Sequence, residues 1–370
     1  MRLLIIHTES QYFAGAQKLL GYFLEALAKT DCSTSVVVVR GTQVEKVIPA
    51  AMTKLYIDSN QKFSVMTLWQ QTQSVVSFNR QTPFDILHGW AARDWELTGL
   101  AGAFARLPTV GTLHDHPQAS FISSTRQLLM RWSARWGLHR LICVSDAVRE
   151  ACLKAGYDSE KLVMIHNGIP TESTINRLPG AGLTRLGFLG AFSERKGLRG
   201  VFEIANDLDK LSPDSWELFL AGSVLDDAGE RMLEEIRRQF GQRKWWSRVH
   251  WCGWVSNPLS FLENIDLLIC PSSDFEPFGL VLCEAGLAGV PVVATAVGGI
   301  PEIVQHGRTG WLFEVGQWTQ AAQLIADLLC RPNVRREAGE RGRVRIRDEF
   351  SNKKMAVHYL DLYTKITGNV

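Results

Sequence analysis

Short runs of aliphatic and β-branched residues recur along the whole chain, and segments of helical spacing separate them. In the first half the runs fall at residues 2–7, 35–40, 85–89, 109–115, 139–145 and 161–167, with helical spacing over 15–29, 93–106 and 146–155. In the second half they fall at 184–190, 217–222, 248–254, 266–272, 291–295 and 310–313, with helical spacing over 197–211, 226–240 and 279–288. Runs that are apolar throughout, rather than alternating with polar residues, belong to parallel strands covered on both faces by helices. The same α/β pattern occurs twice, and 370 residues exceed what one core of usual size organises. The chain is therefore expected to form two Rossmann-like, doubly wound parallel-sheet domains. In such sheets ligands bind beyond the carboxyl ends of the strands, so a shared central cleft is expected to carry the function.

The aperiodic stretch 169–182, with two prolines and two glycines, reads as a linker between domains at 1–168 and 183–350. A helical tail over 317–367, interrupted at Pro332 and near Ser351, is expected to send its last segment, about 351–370, back onto the first domain. A net charge of +2 is too small for a nucleic-acid surface. Residues 1–168 hold 17 basic against 13 acidic side chains and the remainder 23 against 25, so the first half is the more basic. Seven scattered cysteines without a C-x-x-C pair read as reduced thiols in a cytoplasmic protein. No run reaches the length of a membrane-spanning helix.

The most informative segment is 270–295. A buried strand gives way to a loop bearing Asp274 and Glu276, then to a turn at Pro277 and Gly279 that opens a helix. The amides of Phe278, Gly279 and Leu280 are expected to be free at that helix start, where unsatisfied donors and the dipole favour a phosphate. Glu276 and Glu284, with seven residues between them, bracket the turn and can accept hydrogen bonds from sugar and ribose hydroxyls. A plainer reading makes Glu276 a helix-start carboxylate and Glu284 a solvated position.

The sequence Glu276-Pro277-Phe278-Gly279, followed by Glu284-Ala285, by 289–295 and by Gly298-Gly299-Ile300-Pro301-Glu302, resembles the donor-site signature of the retaining glycosyltransferases of family 4. Gly15, His114-Asp115, Val144-Ser145, Asn167-Gly168 and Lys196-Gly197 extend the resemblance over most of the chain. It implies a GT-B fold and a retaining, metal-independent transfer of a hexose-type sugar to an acceptor hydroxyl. The donor would be a nucleoside-diphosphate sugar, with uridine diphosphate as the usual carrier. The second domain would bind the donor and the first the acceptor, with no further cofactor. By the same resemblance Glu276 would hold the hexose hydroxyls, Glu284 the ribose, and the amides near Gly279 and Leu280 the diphosphate.

Lys196, at a strand-to-helix junction, suits the charge of a leaving diphosphate, whereas a lysine there merely in solvent would oppose the helix dipole. The family usually places an arginine after the glycine of this loop, but here Gly190 precedes Ala191, which leaves Arg195 as the candidate substitute. His114 ends a strand and can bond the donor sugar or position the acceptor, although a lone strand-end histidine is often structural. Gly15 allows close approach of backbone to phosphate or acceptor. Arg93, Asp94 and Asp115 are acceptor-side candidates.

Asp207-Leu208-Asp209 matches the D-x-D metal motif literally but lies within a helical segment, and the consecutive His114-Asp115-His116 cannot converge on one ion; no metal site is expected. Residues 125–140 are cationic, with Leu128, Leu129, Met130, Trp132 and Trp136 interleaved. They form either a core-packed helix with a basic outer face or a surface that rests on the inner face of a membrane and meets a lipid-linked glycan. A sugar or small-molecule acceptor is equally consistent. The rival readings are a non-hydrolysing sugar-nucleotide epimerase of the same fold and a catalytically weak sugar-nucleotide-binding protein.

Overall fold

The computed structural model describes residues 1–9, 14–58, 64–172 and 182–368. Most of the predicted linker, 173–181, and the loop residues Tyr12 and Phe13 lie outside them. The chain forms two compact units, one made of Met1–Pro170 with Phe350–Val370 and the other of Thr171–Glu349.

The first unit runs β1 (Arg2–Ile6), α1 (Gly15–Leu27), β2 (Ser33–Val39), α2 (Gln43–Val47), β3 (Thr53–Ile57), α3 (Val65–Gln81), β4 (Ile86–Gly89), α4 (Trp95–Ala105), β5 (Thr109–Leu113), α5 (Ser124–Gly137), β6 (Arg140–Cys143), α6 (Asp146–Lys154) and β7 (Leu162–Met164). Its seven strands pair in the order β3-β2-β1-β4-β5-β6-β7, parallel throughout. Six of them match the apolar runs. β3, with the sequence Thr-Lys-Leu-Tyr-Ile, is the exception: it is an edge strand buried fully only at Ile57, so its sequence carries little apolar signal.

The second unit runs β8 (Thr184–Leu189), α7 (Leu198–Leu211), β9 (Trp216–Ala221), α8 (Asp227–Phe240), β10 (Val249–Gly253), α9 (Pro258–Leu262), β11 (Leu267–Cys270), α10 (Leu280–Leu287), β12 (Val292–Thr295), α11 (Ile300–Ile303), β13 (Gly310–Phe313), α12 (Trp318–Leu329) and α13 (Pro332–Glu349). Its parallel sheet has the order β10-β9-β8-β11-β12-β13. Strand order reverses between β1 and β4 in one unit and between β8 and β11 in the other. These are the switch points at which doubly wound sheets leave room for a ligand.

The last helix, α14 (Asn352–Thr367), belongs to the first unit. Ile169 donates to Phe350 O (2.9 Å) and Asn352 N donates to Ile169 O (2.8 Å). Deeper in, the Tyr363 hydroxyl meets His88 Nδ1 at 2.7 Å and the other ring nitrogen meets Thr112 Oγ1 at 2.8 Å. All three side chains are buried. Burial, and next the neighbouring His114, pushes the His88 pKa down to about 3, so its ring stays neutral and each nitrogen still finds a partner.

Candidate active site

In the second unit the site is built at the β8/β11 switch point. The loop after β8 turns into α7 at Gly197, which has φ +75°. A Cβ there would lie 1.7 Å from Pro271 O, so glycine is required for this loop to lie against the one that follows β11. Ser273 N donates to Arg195 O (3.1 Å) and ties the two loops. They hold Lys196 Nζ 2.5 Å from Glu276 Oε2, the lysine side chain a quarter exposed and the carboxylate a tenth. Two charges of that burial persist because each neutralises the other.

Behind Glu276, Gly299 N donates to its carbonyl at 2.8 Å. At Gly298, φ is +55° and a Cβ would sit 2.1 Å from that same carbonyl oxygen. Glu276 is thus fixed by its backbone as well as by its ion pair. Gly279 caps α10 in the left-handed region, φ +98°, a conformation that side chains resist. Leu282 N returns to Gly279 O (2.9 Å), whereas the amides of Leu280 and Val281, in the first turn, have no acceptor within the helix. Phe278 is buried beneath the turn, and Glu284 is buried one turn into α10. Lys196 and Glu276 therefore meet close to the helix start at Gly279, and Glu284 lies on the same helix. Arg195 is exposed and makes no ion pair among the described residues.

Cys270 ends β11 beside this pair. Burial first, and then the Glu276 charge, pushes its thiol up to about 11, so it stays protonated and is no nucleophile. Of the D-x-D pair, Asp207 accepts from Lys210 (2.7 Å) and Thr319 (2.6 Å), and Asp209 pairs with Arg248. Both carboxylates are paired within the second unit.

In the first unit, the residues beyond β1, β4 and β5 form a polar cluster. His114 Nε2 donates to Trp90 O at 3.0 Å, which leaves Nδ1 as a lone-pair acceptor, buried and without a partner among the described residues. Burial, and next the nearby His7, pushes its pKa down to about 3, so the ring is a neutral hydrogen-bond acceptor at any physiological pH. Gly15 opens α1, and a Cβ there would meet no atom within 4 Å.

The acceptor-side expectation for Asp94 needs correcting. Asp94 is 0% exposed. It accepts from Ala91 N (2.9 Å), Thr8 N (2.9 Å) and Thr8 Oγ1 (2.7 Å), and it lies 3.0 Å from His7 Nδ1. Burial works against its charge, but the His7 ring and the Thr8 donors outweigh it and hold the carboxyl below its usual range. No carboxylate surface remains for an acceptor: the residue clamps the loop after β1 to the loop after β4. Arg93, exposed, pairs with Glu9, and Asp115 is exposed on the loop after β5. His7 escaped the sequence reading. Its signal was its place immediately after β1, at the carboxyl end of a parallel strand.

Two Rossmann-like units, one with an ammonium and a carboxylate at a helix-opening turn, define the class as a GT-B sugar transferase. A family model described as Glycosyltransferase Family 4 matches residues 13–173, and one described as Glycosyl transferases group 1 matches 180–345. N-acetyl-alpha-D-glucosaminyl L-malate synthase of Bacillus anthracis is 41% identical over 116 residues, 31% of this chain and 30% of that protein. Alpha-maltose-1-phosphate synthase of Mycolicibacterium smegmatis is 28% identical over 306 residues, 73% of this chain and 77% of that one. Among solved structures, Anabaena HepE in complex with UDP-glucose superposes with a TM-score of 0.83 over 99% of this chain and 100% of that one, at 19% identity. The chain belongs to glycosyltransferase family 4 and is an enzyme of the transferase class.

Proposed function

We propose that the protein transfers a hexose-type sugar from a nucleoside-diphosphate sugar, uridine diphosphate being the favoured carrier, to an acceptor hydroxyl, with retention of configuration and without a metal. The observation that carries this is the Lys196–Glu276 pair at 2.5 Å beside the opening turn of α10. A diphosphate seated on the Leu280 and Val281 amides draws the Lys196 ammonium to itself, and Arg195 is free to add a second cation. Glu276, released from its partner, accepts from the sugar hydroxyls, and Glu284 from the ribose. His114 Nδ1 offers a neutral acceptor for a further sugar hydroxyl. The nucleotide then leaves as an anion stabilised by Lys196, the acceptor hydroxyl attacks on the same face, and its proton passes to the departing phosphate oxygen. Gly15 gives the acceptor or phosphate access to the start of α1. The UDP-glucose bound by HepE and the sugar-transferring names of the relatives support this donor class.

The test is substitution at Glu276. Glu276→Ala is expected to abolish transfer while uridine diphosphate still binds by calorimetry, and Asp207→Ala to change little; equal losses at both would overturn the assignment. Incubation with donor alone separates the epimerase reading, since an epimerase alters the sugar without an acceptor. Activity undiminished by a chelator, and retained anomeric configuration by NMR, test the remaining two points.

A further inference from the structure

The buried polar groups beyond β1 form a directed series of hydrogen bonds. Burial works against the charge of Asp94, but the His7 ring and the Thr8 donors outweigh it, so the carboxylate is ionised and can only accept. His7 Nδ1, 3.0 Å from Asp94 Oδ2, therefore carries a proton. On the other side of the ring, His7 Nε2 lies 3.4 Å from Gln17 Nε2. A carboxamide nitrogen donates and does not accept, so His7 Nε2 takes that hydrogen on its lone pair. Gln17 Oε1 in turn accepts from Ala14 N at 2.9 Å, the return bond that a glutamine in the first turn makes to the residue capping its helix. The hydrogens thus all point one way, from Ala14 to Gln17 to His7 to Asp94. His7, Gln17 and Asp94 are buried, so a reversed link would set two donors or two acceptors face to face.

The series ends where α1 opens. Ala14 is the cap of α1, and the amides of Gly15 and Ala16 in its first turn have no acceptor within the helix. Trp90 ties this same opening to His114: its Nε1 donates to Ala16 O (2.8 Å), and its carbonyl accepts from His114 Nε2 (3.0 Å). Trp90 N donates to Ile6 O at 3.0 Å, which anchors the residue to β1. A shift at the start of α1 therefore changes its register against His114.

We propose that Asp94 and His7 are positioning residues for sugar transfer, neither of them touching a substrate. The charge of Asp94 selects the His7 tautomer, and that tautomer, through Gln17, sets the opening of α1 against His114. The role rests on the proposed transfer reaction, in which a phosphate or the acceptor approaches Gly15 and His114 meets the sugar.

The test combines histidine ring spectra with kinetics on two Gln17 variants. With the protein labelled with ¹⁵N-histidine, the wild-type His7 ring is expected to carry its proton on Nδ1 and none on Nε2 at neutral pH, the signal being assigned by its loss in His7→Gln. Gln17→Met removes both links at similar side-chain volume. It should leave the proton on Nδ1 and lower kcat on the order of tenfold to a hundredfold, the usual cost of a small misplacement, with the KM for the nucleotide sugar unchanged. Gln17→Glu replaces the NH₂ donor by an oxygen, so the link to His7 Nε2 survives only while a proton lies between them. This variant should keep most of the activity at neutral pH and gain an alkaline fall in kcat that the wild type lacks. Of the titratable groups beside His7, Asp94 stays ionised and His114 neutral over that range, so neither supplies the fall. Melting temperatures establish that each variant folds. A wild-type ring protonated on Nε2, a Gln17→Met enzyme with undiminished kcat, or a Gln17→Glu enzyme with the wild-type pH profile would overturn the positioning role and leave the transfer reaction standing. A wild type that transfers no sugar would remove the reaction and the role together.

Discussion

Lys196 and Glu276 stabilise each other's charges, so removing one leaves the other partly buried and unpaired. Lys196→Ala is expected to lower kcat/KM by on the order of 10²–10³-fold, the usual cost of losing one electrostatic stabiliser of a developing anion, and to weaken nucleotide binding as well. Glu276→Ala should instead leave nucleotide binding intact, because its loss frees the ammonium for the diphosphate. Steady-state kinetics beside calorimetry separates the two patterns. Gly298→Ala is a sharper test of geometry, since its methyl would sit 2.1 Å from Glu276 O and must displace the backbone that aims the carboxylate. Activity should fall severely in Gly298→Ala while the chain remains folded by circular dichroism. The Glu276-x₇-Glu284 spacing was readable from the sequence alone. That Asp94 turns inward was not: an aspartate on a loop after a strand reads as available, and only the approach of Thr8 and His7 from 86 and 87 residues away shows that it is consumed.

At the scale of elements, the connection between α14 and the first sheet rests on buried polar contacts. His88 is neutral in the folded chain, with a pKa near 3 against an ordinary 6.5. Above pH 6.5 neither folded nor unfolded chain protonates it, and stability does not depend on it. As pH falls below 6.5 the unfolded chain gains a proton that the folded one refuses. Stability is then lost at about 1.4 kcal/mol per pH unit from this group, until the folded pKa is approached. Urea unfolding at pH 7, 6 and 5 should show that acid sensitivity. Tyr363→Phe removes the hydroxyl that meets His88 Nδ1, and is expected to cost about 1–3 kcal/mol at pH 7 for a buried group left unpaired. Breaks near Pro332 and Ser351 divided the tail into its helices in the sequence. The contact of α14 with His88 depends on residues some 275 positions apart, and no local pattern encodes it.

For the molecule as a whole, Lys196, Glu276 and Glu284, the residues proposed to hold the donor, all lie within the second unit. Uridine diphosphate at a hundred times its Kd is therefore expected to stabilise that unit by about 2.7 kcal/mol. For a unit of this size the melting transition should rise by roughly 5–10 °C by scanning calorimetry. No rise in either transition would count against the site. The sequence by itself determined the two-fold α/β pattern, twelve of the thirteen strands, the interruptions of the final helices and the glycine turn that opens α10, because hydrophobic periodicity, prolines and glycines act over a few residues and leave a local trace. The tertiary structure alone decided the Lys196–Glu276 pairing, the inward turn of Asp94, the bare Nδ1 of His114 and which side of α5 meets solvent. Each of these depends on partners brought together by the sheet from distant positions, and burial and pairing of a charge are properties of the assembled surroundings rather than of the residue that bears it.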